Sequence, residues 1–130
     1  MAGSSATLHE EGLSPKTIDR HRAIVSLMEE LEAVDWYDQR VEATSDTELK
    51  ALLAHNRDEE KEHAAMMLEW LRRNDPGFDE NLRTYLFASG SILEAEEQTK
   101  AAEVAEGTAT SAPGAARSDG SLGIGSLRGK

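Results

Sequence analysis

Two stretches of this chain put ionisable residues where a helix would bury them. In the first, Ala23, Leu27, Glu30, Val34, Tyr37 and Val41 recur at alternating spacings of four and three. In the second, Leu49, Leu53, Asn56, Glu60, His63, Met67 and Trp70 keep the same rhythm. That rhythm marks the seam along which two helices pack. Each seam is apolar at its ends and ionisable in its middle. Burying a carboxylate without a partner costs several kcal/mol. Glu30, Glu60 and His63 therefore call for compensation, and a cation is the natural source.

Glu60-Lys61-Glu62-His63 is a Glu-x-x-His. Three residues apart on a helix, carboxylate and imidazole project from one face and can share a metal ion. Alone, the pattern is common on acidic helices. Here it is joined by Glu30, at matching height on a second apolar seam. A di-iron carboxylate bundle uses two single glutamates and two Glu-x-x-His pairs from four helices. This chain has one of each on two helices, so ligand counting predicts a two-fold dimer that completes the site. Four carboxylates from the two copies would then balance two ferrous ions.

Other candidates carry less. Glu29, Glu32 and Asp35 either form an acidic approach for cations or a solvated helix face, and spacing does not decide between them. Glu59 and Glu62 lie off the seam and are expected in water. His9, His21 and His55 miss the seam and read as structural or exposed. Met66, Met67, Trp70 and Leu71 read as core. Trp36 and Tyr37 suit packing, and Tyr37, two helical turns beyond Glu30, is also placed to donate a hydrogen bond to the ligands.

The elements that must position these residues are helical. Ser14 can cap a first helix with Pro15 at its first position, running to about Ala43. Ser45-Asp46-Thr47-Glu48 reads as a capping box for a second, running to about Arg73. Asn74-Asp75-Pro76-Gly77 ends it, and a short amphipathic helix covers Phe78 to Phe87. No strand-length alternation is found. The expected fold is all-α: an antiparallel two-helix hairpin, half of a four-helix bundle, plus a short C-terminal helix, with dimerisation completing the bundle. Residues 1–13 are expected to be disordered, 14–93 to form the domain, and 94–120 to be a flexible low-complexity linker whose first part favours helix only weakly. The tail 121–130 sets Leu122, Ile124 and Leu127 among glycines, the layout of a docking peptide.

Composition narrows the function classes. The chain has 130 residues, no cysteine, 5% aromatics and 30% charged residues, with a net charge of -11. Residues 28–62 alone hold 12 acidic and 4 basic side chains. A surface of this sign opposes nucleic-acid binding, which needs a basic face. Without cysteine, disulfides and thiolate metal sites are excluded. The longest apolar run, Ala64 to Leu68, is far too short to cross a bilayer. The opening MAGSSATLHEEG lacks the basic and apolar regions of a signal peptide, which points to the cytoplasm. A foldable part this small needs metal or partners to complete its core.

The motifs together resemble a known family. HRAIVSLMEELEAVDWYDQR (His21 to Arg40), LAHNRDEEKEHAAMMLEWLRRND (Leu53 to Asp75) and LRTYLF (Leu82 to Phe87) resemble encapsulated ferritin. The resemblance spans about residues 9–93 and then the last ten. It implies that Glu30, Glu60 and His63 are ferroxidase ligands shared across a dimer, and that five dimers form a decameric ring. It further implies that Glu29 and Glu32 form a metal entry site with Trp36 beside it. SLGIGSLR (Ser121 to Arg128) resembles the peptide that directs cargo into an encapsulin shell, and the linker, spanning roughly 25–30 Å if flexible, lets it dock. The implied function is oxidation of Fe2+ to Fe3+ for storage within an encapsulin nanocompartment, with other divalent metals able to bind. A peroxide-reducing di-iron protein and a non-enzymatic metal-binding cargo protein are the alternatives.

Overall fold

The computed structural model describes residues 7–109, which form four α-helices and, among those residues, no strand. Helix α1 spans Pro15–Ala43, α2 Thr47–Asn74, α3 Pro76–Tyr85 and α4 Ile92–Ala109. The chain divides into two compact units, one ending at Asn74 and one beginning at Asp75.

The first unit is the hairpin of α1 and α2. Ser14 caps α1 through its side-chain oxygen, which accepts from the Thr17 amide at 3.2 Å, and Pro15 takes the first turn, where no amide hydrogen is needed. Thr44 turns extended and ends the helix, its amide still donating to the Arg40 carbonyl. The Lys50 ammonium reaches across the turn to the Val41 carbonyl, a cation on the negative end of α1. Helix α2 is capped by Asp46 and not by Ser45: the Asp46 carboxylate accepts from the Leu49 amide at 2.8 Å. A carboxylate both satisfies the free amide and meets the positive end of the helix, so it outcompetes the neighbouring hydroxyl.

The apolar contact between α1 and α2 is thin. Ala23, Ala64 and Leu71 are the buried apolar residues among those described, and only Leu71 is fully enclosed. The expected seam residues Leu27, Val34, Val41, Leu53 and Met67 are half-buried. Met66, expected in the core, is 60% exposed, and Trp70 is exposed at 38%. At 100° per residue, positions 63, 66 and 70 share one flank of α2, turned away from the line of Leu53, Ala64 and Leu71. On α1, Ile24, Met28 and Leu31 form an exposed stripe of their own.

In the second unit, α3 begins two residues earlier than its apolar pattern indicates. Asp75 caps it by accepting from the Phe78 amide at 3.1 Å, with Pro76 at the first position. The Asn-Asp-Pro-Gly run thus both ends α2 and starts α3. Helix α3 stops at Tyr85 because Leu86 is extended and Phe87 takes a left-handed φ of 64°. Asp79, buried, is held by Arg83 one turn on at 3.0 Å. Helix α4 packs on α3 and takes in the first part of the segment from residue 94, where only a weak preference for helix was expected. Ser91 caps it, accepting from the Glu94 amide at 3.3 Å, and its Ala, Glu and Gln residues favour helix without an apolar stripe.

Candidate metal centre

Glu30 comes from the middle of α1, and Glu60 and His63 from the middle of α2. One ligand atom from each of the three lies within 4.8 Å of the other two. The His63 Nδ1 stands 3.3 Å from the Glu60 carboxylate and 3.7 Å from that of Glu30. Donors on opposite sides of a divalent transition ion are roughly 4 Å apart. The set therefore needs only small rotamer changes to close on an ion. Two carboxylates and an imidazole suit iron, zinc or manganese.

Their electrostatics are those of a charge-dense site. A hydrogen bond with Glu60 raises the Glu30 carboxyl above the usual range, and partial burial adds to the rise. The same hydrogen bond lowers Glu60, and His63 lowers it further. His63 is itself raised, first by its hydrogen bond to Glu60 and then by the charges of the surrounding glutamates. The bond between the two carboxyls thus favours the protonated form of Glu30 and the charged form of Glu60. Their side chains are 25% exposed and that of His63 is 45% exposed, so the centre is open to one side. One chain supplies three donors, fewer than a complete transition-metal shell.

None of the remaining candidates belongs to this three-residue cluster, although the charge of Glu29 adds to the rise of Glu30 and that of Glu59 to the rise of His63. Glu29 and Glu32 are exposed on α1. Trp36 is 48% exposed and Tyr37 is half-buried. The Arg40 guanidinium sits 5.8 Å from the Trp36 ring centre and 5.7 Å from that of Tyr37, holding both rings by cation–π attraction. Glu59 and Glu62 face solvent, and Glu59 is 3.7 Å from His55. Leu122, Ile124 and Leu127 lie outside the described residues. Sequence reasoning passed over Arg57, whose guanidinium donates to Asp38 on α1 at 3.0 Å and to Asp58 at 3.1 Å. Its position three residues before Glu60 was the available signal.

A helical half-bundle with one glutamate facing a Glu-x-x-His defines a class: ferritin-like chains that keep half of the four-helix bundle. The EncFtn-like family model matches residues 5–89, and the chain belongs to that family. It is 64% identical to an encapsulated ferritin-like protein of Rhodospirillum rubrum, over 100% of this chain and 94% of the relative. A ferritin-like protein of Thermotoga maritima is 61% identical over 67% of this chain and 76% of its own. The encapsulin nanocompartment cargo protein EncC of Myxococcus xanthus is 38% identical over 76% of each. A crystal structure of a protein from Nitrosomonas europaea superposes with a TM-score of 0.64 at 63% identity, covering 66% of this chain and 96% of that one.

Proposed function

We propose that this protein is a ferroxidase that oxidises Fe2+ to Fe3+ at a di-iron site formed between two copies, inside an encapsulin compartment of the cytoplasm. One observation carries the reading: Glu30, Glu60 and His63 converge, yet the cluster stays open on the flank where Met66 and Trp70 are also exposed. A second copy related by a two-fold axis would cover that apolar flank and bring a second set of the same donors. The resulting four carboxylates and two imidazoles match the donor inventory of di-iron carboxylate bundles. Iron is then the substrate: each ferrous ion gives up one electron to dioxygen, and hard carboxylates favour the ferric product.

The protein's own part is positioning. Glu60 and His63 are fixed on one face of α2 by helical spacing, and Glu30 is brought opposite by the hairpin. Glu29 and Glu32, with Trp36 beside them, serve as the cation approach, and Tyr37 as a hydrogen-bond donor to the ligands. The exposed stripe of Ile24, Met28 and Leu31 supports a second, different contact between dimers, as a ring of five dimers requires. The tail residues Leu122, Ile124 and Leu127 dock in shell pockets. The names of the Rhodospirillum and Myxococcus relatives support encapsulation.

Anaerobic titration with Fe2+ followed by oxygen tests this. Two ferrous ions per dimer should bind, and a ferric absorbance band should develop on oxygenation. Binding without oxygen-dependent oxidation would instead indicate a metal-binding cargo protein. Turnover with peroxide and a reductant, but not with Fe2+ and oxygen, would indicate a peroxide-reducing protein.

A further inference from the structure

Two helices joined by the short turn 44–46 are fixed in axial register near the turn, but rotation about their axes is fixed elsewhere. Glu30 lies more than three helical turns from that turn, and few buried apolar side chains lock the contact there. The Arg57–Asp38 ion pair bridges α1 and α2 at 3.0 Å between the turn and the metal centre. The Arg57 side chain is only 22% exposed, and its fork is engaged by Asp58 as well. Helical periodicity puts Arg57 and Asp38 on one flank of the contact and His63 and Tyr37 on the other.

We infer that Arg57 is a positioning residue for the metal centre, acting through Asp38: the pair holds the back of the hairpin closed and thereby sets the distance of Glu30 from Glu60 and His63. The inference rests on the proposed metal-binding reading of that centre. Polar pairs beside an apolar seam are well suited to fixing the register of packed helices even where they add little stability. A guanidinium whose planar fork spans two carboxylates restrains rotation better than the single point of an ammonium does.

The sign of one effect separates positioning from simple electrostatics. Arg57 is a cation on the same hairpin as a cation site. If its charge alone mattered, Arg57→Gln would strengthen metal binding. If it positions the ligands, the same change weakens binding despite the lost repulsion. The experiment measures Co2+ affinity of the full-length protein by calorimetry and the visible d–d spectrum of the bound ion, for wild type, Arg57→Gln, Arg57→Lys, Asp38→Asn and the exchanged pair Asp38→Arg with Arg57→Asp. Circular dichroism confirms equal helicity. We expect Arg57→Gln and Asp38→Asn each to weaken binding roughly three- to tenfold, at or below the lower end of what losing a partner of a metal ligand costs. Arg57→Lys should recover part of the loss, and the exchanged pair should return to within about twofold of wild type with the wild-type spectrum, the restoration that a double-mutant cycle reads as direct coupling. Unchanged or tighter binding in Arg57→Gln would overturn the positioning role while leaving the metal centre standing. Failure of the wild type itself to bind Co2+ would overturn both.

Discussion

At the scale of single residues, the proposed chemistry rests on three side chains whose acidic neighbours on the same helices face water. Glu59 and Glu62 are as acidic as Glu60 and are exposed, whereas Glu60 meets both Glu30 and His63. Under two-fold symmetry, each ligand change removes two donors from a shared site. Glu30→Ala, Glu60→Ala and His63→Ala should each lower the initial rate of Fe2+ oxidation at least tenfold, the scale on which losing even a ligand's partner acts. Glu59→Ala and Glu62→Ala should stay within about twofold of wild type on the same scale. Initial rates followed by ferric absorbance, with helicity checked in parallel, decide this. Equal rates in all five variants would remove the three ligands from the reaction.

At the scale of elements, helix ends carry much of the local order. Glu69 on α2 accepts from Arg72 and Arg73, which hold its carboxyl down at about 2, Arg72 contributing most. A carboxyl depressed in the folded state stabilises the fold above its unfolded value near 4.5, and that contribution is lost as pH falls through the folded value. Glu69→Gln should therefore flatten the fall in melting temperature between pH 4.5 and 2, relative to wild type, because its contribution is already gone. A pH series of thermal melts by circular dichroism measures it, and parallel curves would show the pairs too well solvated to matter. Both long helices were legible because a four-three rhythm coincides with capping residues at their starts, although Asp46 and not Ser45 caps the second. Glu30, Glu60 and His63 were legible for the same reason, as charges interrupting an apolar seam. Helix α4 was read only as a weak helical preference because periodicity detects helices with a buried face, and α4 is exposed nearly throughout. Its signal was the Ser91 to Glu94 capping spacing and its high helix propensity. Met66 was misplaced because two adjacent methionines cannot both lie on one seam, and the burial of Leu71 draws the core away from it. Arg57 was invisible to a search along the seam, since a flanking latch leaves no apolar pattern.

At the scale of the whole molecule, the helical part and the tail are proposed to have separate tasks. The last ten residues hold Leu122, Ile124 and Leu127, far along the chain from the hairpin that carries Glu30, Glu60 and His63. Helix α4, with 18 residues, is about 27 Å long, so the route from domain to tail is not coil throughout. Deleting Ser121–Lys130 should leave Fe2+ oxidation unchanged and abolish loading into shells. Co-expression with the shell protein and quantitation of co-purified cargo reads this out, and normal loading of the truncated chain would refute the docking role.

Metal should also govern assembly, because the hairpin alone closes so little. Leu71 is its one fully enclosed large side chain, while Ile24, Met28, Leu31, Leu52, Met66 and Trp70 remain exposed. Against the apolar gain of pairing two such faces stands the charge they bring together. Two copies of Glu30 and Glu60 would place four carboxyls in one interface, and already within one copy the Glu30 carboxyl is raised by Glu60. Like charges at that range repel or take up protons. Divalent ions reverse the balance, cancelling the charge and joining both copies, so that binding free energy becomes assembly free energy. Chelator-treated protein at neutral pH should therefore be monomer or weak dimer, and anaerobic Fe2+ should drive it into larger rings. Glu60→Gln, which removes one charge per copy while keeping the shape, should relieve part of the repulsion and assemble further than wild type without metal, yet respond less to iron. Native mass spectrometry before and after Fe2+ addition distinguishes these states. Metal-free wild type already fully assembled and unmoved by iron would show that apolar contact alone outweighs the carboxylate repulsion.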